Sequence, residues 1–247
     1  MAGILAFAAL KDHAEKIFKY QQGKTIPYIK PLVGEDGVLQ ASEWTAVKNG
    51  ICAALVIDWL AEKMGTTNSR GFLGFGRVDT GSRSYQGDSS SSSTHMTKNF
   101  DTALRVIPMQ VNYVKHVDDQ QLFKPAGLVP DITMTQEANS SKSNGGVLCS
   151  FKKDARPEIE IAATLKLLSE RLNKHTGAYV GVKVDRDGHA VGLFRSNGNH
   201  IYFFDPNVGI YKLHAIVPFF EAWESGYYAR NRTLTMETTD KLTIFRR

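Results

Sequence analysis

Cysteine is scarce in this chain: Cys52 and Cys149 are its only two in 247 residues. Two thiols close one bridge at most, which excludes a disulfide-stapled scaffold, and neither lies in a C-x-x-C pair. No histidines show the H-x-x-x-H spacing of a metal site, so neither metal nor cofactor is expected. No apolar run approaches the length of a membrane span, which excludes stable membrane insertion. The run Ile4-Leu5-Ala6-Phe7-Ala8-Ala9-Leu10 is too short for a Sec signal and has no basic region before it. Its apolar positions 4, 7, 10, 14 and 17 predict instead an amphipathic helix within 2–20. Blocks of one charge are also missing. The net charge of +5 and pI near 9.1 come from scattered residues, apart from pairs such as Lys152-Lys153 and Arg246-Arg247. Without a basic stripe interleaved with aromatics, nucleic acid is not an expected partner, and only a weak attraction to anionic surfaces remains. There are no internal repeats.

What is present describes a globular protein: 42% hydrophobic, 10% aromatic and 22% charged, enough to build a substantial core. After residue 20, Gln21-Gln22-Gly23-Lys24 and Ile26-Pro27-Tyr28 break the first element, and Gly34-Glu35-Asp36-Gly37 reads as a turn. A helix from about Gly50 to Met64 is apolar nearly all round, with Asp58 its lone interior charge, and Gly65 stands where a terminating glycine belongs. Residues 65–100 shift to Gly, Ser, Thr and Asn, including the run Ser89–Ser93. They read as a surface insertion, and Gly71-Phe72-Leu73-Gly74-Phe75-Gly76 within them is no dinucleotide fingerprint. Thr102–Ile107 starts a helical or mixed element, Met109–Val117 alternates like a strand, and Thr133–Gly146 is polar. Pro157 opens a helix with Ile161, Leu165, Leu168 and Leu172 at helical spacing. Strands follow at Ala178–Val184, His189–Phe194 and His200–Phe204, then a helix over Val217–Ser225 and strands Thr233–Thr238 and Lys241–Phe245. Helices followed by an antiparallel sheet make an α+β layout. We expect one catalytic domain over 1–247, with 1–40 as an N-terminal extension and 65–100 as the insertion.

Three residues carry chemistry by their placement. Asn197-Gly198 between two apolar runs is a strong hairpin signal. A turn centred near Asn197 would set His189 opposite Asp205, and a carboxylate there would fix the imidazole tautomer and stabilise its protonated form. Cys52 follows the polar-glycine break Asn49-Gly50, in the first turn of its helix, where the helix dipole favours thiolate over thiol. Each has a plainer reading when taken alone: a buried helix thiol, a turn-capping histidine, an Asx turn at Asp205-Pro206-Asn207. Their conjunction, in the order Cys, His, Asp, is the papain arrangement. Cys149 reads as an inert core thiol, His200 and His214 as surface or core histidines, and Trp59 and Trp223 as core residues.

The segments Gly50-Ile51-Cys52, His189-Ala190-Val191 and Phe204-Asp205-Pro206-Asn207-Val208-Gly209 resemble the YopT/AvrPphB family of papain-fold cysteine proteases. The aromatic helix residues Phe219, Phe220, Trp223 and Tyr227 add to the likeness, as does the separation of 16 residues between His189 and Asp205. The resemblance implies a papain-like fold in which a buried nucleophile helix packs on the C-terminal sheet. It also implies Cys52 as nucleophile, His189 as general base and acid, and Asp205 as its orienter. Papain-like enzymes place a polar oxyanion donor several residues before the cysteine. Ala46 and Val47 stand there, leaving Asn49 as the nearest amide and the Cys52 N–H as a backbone donor. Family members are effectors that bacteria inject into host cells. The implied partner is therefore a host protein substrate, met in the host cytoplasm by a protein exported without a Sec signal; the oligomeric state is open.

Three functions fit these residues. A thiol protease would form an acyl-enzyme at Cys52 and hydrolyse it through His189. A glutamine deamidase or acyl-transfer effector would use the same triad on a side-chain amide. A catalytically decayed papain-like scaffold would only bind.

Overall fold

The structure, a computed structural model, describes residues 7–34, 39–66, 92–116, 120–132, 134, 157–236 and 242–246. Most of the Gly- and Ser-rich insertion, most of the 133–146 polar stretch, and Cys149 lie outside the described residues. The chain forms two compact units. One comprises Met1–Lys16, Pro130–Phe204 and Tyr211–Arg247; the other comprises Ile17–Val129 and Asp205–Ile210.

The strands, in chain order, are β1 (Ala14–Phe18), β2 (Val129–Pro130), β3 (Thr176–Val184), β4 (Asp187–Arg195), β5 (Ile201–Asp205), β6 (Gly209–Leu213), β7 (Leu234–Met236) and β8 (Leu242–Arg246). They form an eight-stranded sheet of order β1-β6-β5-β4-β3-β8-β2, with β7 also paired to β3. β3 is buried along nearly its whole length on both faces, as a central strand must be. It runs antiparallel to β4 on one side and to β7 and β8 on the other, aligning Val180 with both Val191 and Leu242. The helices Pro157–Arg171 and Ile216–Tyr228 pack on each other and on this sheet. Phe203 of β5 meets Phe219, Phe220 and Trp223 edge to face, with ring centroids 5.5, 5.5 and 5.2 Å apart. Such pairs add about 0.5–1.5 kcal/mol each to the area they bury. The aromatic helix and the strands β3, β4, β5, β7 and β8 are as the sequence predicts, whereas β2 and β6 carry no such expectation.

The hairpin between β4 and β5 forms around Asn197-Gly198, but not in the register expected. Asn199 N–H bonds to Ser196 O at 3.0 Å, closing a turn, and Asn199 then adopts φ +63 before Ser196 N–H closes on His200 O at 2.9 Å. This is a three-residue loop with a left-handed residue at its end, so its centre falls on Gly198 rather than Asn197. Moving the centre by one residue shifts the pairing by two: Gly192 faces Phe204, where the expected register put Tyr202. The expected register, with His189 directly opposite Asp205, is therefore not the one formed. Arg195 secures the loop: its Nη1 donates to Asn199 Oδ1 at 2.5 Å, and its Nη2 to Ser169 O, a carbonyl at the end of the Pro157–Arg171 helix, at 2.5 Å.

Two other expectations fail. Residues 8–12 form a 3-10 turn and 14–18 a strand, not one amphipathic helix. Leu10, Ala14 and Phe18 are buried, and a spacing of four puts residues on one face of either a helix or a strand, so the pattern alone could not choose. Pairing beside β6 decides it. In the second unit, Met109–Val117 is no strand: a helix runs over Ser92–His116, through Pro108. The buried positions Asn99, Thr102, Ala103, Val106, Ile107 and Gln110 hold a helical stripe past the proline, outweighing the backbone bond it removes. That helix packs on Ala41–Val47 and on Cys52–Met64. Arg105 of the Ser92–His116 helix pairs with Asp58 of Cys52–Met64, which explains the lone interior charge.

Candidate active site

Cys52 is the first residue of its helix, a half-buried free thiol, as the sequence predicts. The preceding helix ends when Gly50 N–H bonds to Val47 O at 3.0 Å, and Gly50 then takes φ +146, a conformation that side chains with a Cβ rarely adopt. That reversal brings Ile51 into the N-cap position, its carbonyl accepting the first helical bond from Leu55 N–H at 3.0 Å.

A helix start exposes unpaired N–H groups, and here two distant glutamines take some of them. Ile51 N–H donates to Gln22 Oε1 at 3.0 Å, and Ala54 N–H donates to Gln110 Oε1 at 3.3 Å. Both glutamines are buried. Between the two capped positions, the N–H groups of Cys52 and Ala53 have no hydrogen-bond partner among the described residues. Backbone donors beside a thiol are what a developing oxyanion requires. Asn49, the amide singled out from the sequence, is exposed in the turn before the helix.

Gln22 also reaches the aspartate segment. Its backbone N–H donates to Pro206 O at 2.9 Å, and its Nε2 donates to Asn207 Oδ1 at 2.9 Å. Asn207 N–H in turn donates to Asp205 Oδ1 at 2.8 Å, the Asx turn expected of Asp205-Pro206-Asn207, and Asp205 is fully buried. A continuous set of hydrogen bonds therefore runs from the cysteine helix through Gln22 to the Asp205 carboxylate, all within the second unit. His189 belongs to the first unit, buried on β4 and aligned with Val182 of β3. His200 and His214 are exposed, and Trp59 and Trp223 are core.

Gln22 and Gln110 escape sequence reasoning. Gln21-Gln22-Gly23-Lys24 reads as a helix break and is a one-turn helix over Gln22–Thr25. Nothing local marks a side chain whose partners lie 29 and 185 positions away.

A family model settles the class of chemistry. Peptidase C58, described as Yersinia/Haemophilus virulence surface antigen, matches residues 12–226. The chain belongs to this family. It is a papain-like cysteine peptidase of the virulence-effector type, on a framework of helices plus antiparallel sheet. No curated protein sequence matches the chain at a significant level. Among solved structures, the Pseudomonas avirulence protein AvrPphB is similar at 15% identity and a TM-score of 0.44, over 81% of this chain and 92% of that one. Among the described residues, no helix is long and apolar enough to cross a membrane.

Proposed function

We propose that this C58 peptidase cleaves a host protein through Cys52 as nucleophile, His189 as general base and acid, and Asp205 as orienter of the imidazole. The observation that carries the reading is Cys52 at the first position of a helix, its N–H without a hydrogen-bond partner among the described residues. In the first half-reaction Cys52 Sγ bonds to the scissile carbonyl carbon, the carbon–nitrogen bond breaks, and His189 passes the thiol proton to the departing amine. In the second, water adds to the acyl carbon while His189 takes its proton. The carbon–sulfur bond then breaks and the proton returns to sulfur, freeing a carboxylic acid. The Cys52 N–H serves as one oxyanion donor, with Asn49 the candidate side-chain donor. On this reading both compact units form one catalytic domain, exported by a bacterium and active in the host cytoplasm.

Mapping new N-termini in host cells that express wild type or Cys52→Ala tests this directly. Termini present with wild type and lost with Cys52→Ala and His189→Ala support proteolysis, with Asp205→Asn retaining part of the activity because nucleophile and base remain. Identical termini from wild type and Cys52→Ala would sink the assignment.

A further inference from the structure

We infer that Gln22 is a positioning residue of the catalytic centre, a role that rests on the triad reading above. Its side chain joins the start of the cysteine helix to the aspartate turn. The carbonyl end accepts from Ile51, the residue before the nucleophile, and the amide end donates to Asn207, which donates to Asp205. An amide bonded to two segments 29 and 185 positions away ties the residue before the nucleophile to the turn of the orienting carboxylate, which neither segment's own turn does. Its backbone adds a third tie, at Pro206. Gln110 provides an internal contrast. It caps the same helix with an equally buried side chain, yet it bonds Ala54 and no part of the 205–207 turn. If helix capping were all that mattered, the two glutamines would be equivalent. If the bridge matters, only Gln22 reaches the chemistry.

The test uses the full chain in a Cys149→Ser background and reads the rate of Cys52 alkylation by iodoacetamide against pH, beside thermal unfolding. Gln22→Met and Gln110→Met keep the packing volume and remove the polar ends, so both should lower the unfolding temperature, Gln22→Met by more because it loses two hydrogen bonds against one. Gln22→Met alone should slow Cys52 alkylation near neutral pH, by about tenfold, since small misplacements of reacting groups have effects of this order. Asn207→Ser cuts the bridge at its other end while leaving the Ile51 cap, and should slow alkylation likewise; the double variant should be little slower than the worse single one. That variant decides the matter should Gln22→Met fail to fold. Wild-type alkylation rates in Asn207→Ser, or equal effects from the two glutamines, overturn the role. His189→Ala is run alongside to separate the levels. If His189 accelerates alkylation and Gln22 does not, only the positioning role fails; if His189 has no influence, the triad fails and the inference with it.

Discussion

The two ends of the cysteine helix are built by opposite means. At its C-terminal end the backbone N–H bonds are local: Gly65 at φ +66 lets its N–H bond to Glu62 O at 3.2 Å, while Thr66 N–H bonds to Ala61 O at 3.0 Å, and the Thr66 hydroxyl reaches further, to Ala126 O at 2.9 Å. The two N–H bonds are the pair of a Schellman ending, made within six consecutive residues. At the N-terminal end, Ile51 and Ala54 bond to side chains 29 and 56 positions away, and Cys52 and Ala53 between them have no partner among the described residues. One end closes on itself for stability. The other is held open by distant residues, and the proposed nucleophile stands there.

The sharpest way to break this contrast is to alter the glycine at each end. Gly50→Ala forces a Cβ residue to φ +146, against an ordinary contact of 3.5 Å to Gln22 Oε1, so strain and not space is the obstacle. We expect a loss of about 2–3 kcal/mol in unfolding free energy and a fall in Cys52 alkylation beyond what the loss of folded protein explains. Unchanged alkylation in the folded fraction would mean the reversal at Gly50 serves the fold alone.

The contrast also governs how much could be read from the sequence. The helix from Cys52 and its stop at Gly65 are legible because apolar content and a left-handed glycine act within a turn. So are the central strands, and so is the aromatic helix after Asp205. Cys52, His189 and Asp205, the proposed triad, could be chosen because each carries a local signal: a glycine break, an Asn-Gly hairpin, an Asx turn. What failed depended on partners elsewhere. The strand at 14–18 needed β6 beside it, the helix through Pro108 needed its buried stripe, and the hairpin register turned on Asn199 taking φ +63. Gln22 and Gln110 gave no signal at all, because a capping side chain from another segment leaves no periodicity behind.

An intermediate effect concerns the segment that carries Gln22. Tyr20, two residues before it, is fully buried, and this burial pushes its phenol well above the usual value despite the opposing Thr25 hydrogen bond and Arg105 charge. Below pH ~10 both folded and unfolded chains hold the proton, and the full stability is present. Above it the unfolded chain releases a proton that the folded chain retains, so stability falls by about 1.4 kcal/mol per pH unit until the folded phenol ionises. Tyr20→Phe should flatten this alkaline limb of the unfolding free energy. A limb of unchanged slope would assign it to other groups.

Gly65→Ala is the matched change at the closed end. Nothing lies within 4 Å of the added Cβ, so only the left-handed backbone opposes it, at about 1 kcal/mol. Unfolding should register that loss while Cys52 alkylation in the folded protein stays put. An alkylation change as large as that of Gly50→Ala would erase the distinction between the ends.

The smallest expected effect lies between the ends, at the Arg105–Asp58 pair. The Arg105 side chain is 41% exposed and Asp58 14% exposed, so solvent screens much of the attraction, and half-exposed pairs contribute about 0.2–1 kcal/mol. Arg105→Gln should therefore lower stability by less than about 1 kcal/mol. The difference from wild type should shrink as salt rises from low ionic strength to ~1 M, where the screening length falls to about 3 Å. Arg105 stands on the neighbouring helix and bonds the cysteine helix at its middle, away from both caps, so alkylation of Cys52 should follow the folded fraction alone. A large, salt-independent loss, or slower alkylation in fully folded protein, would show that the packing of the whole helix sets the Cys52 thiol. The hydrogen bonds at its first turn would then not be enough to position it.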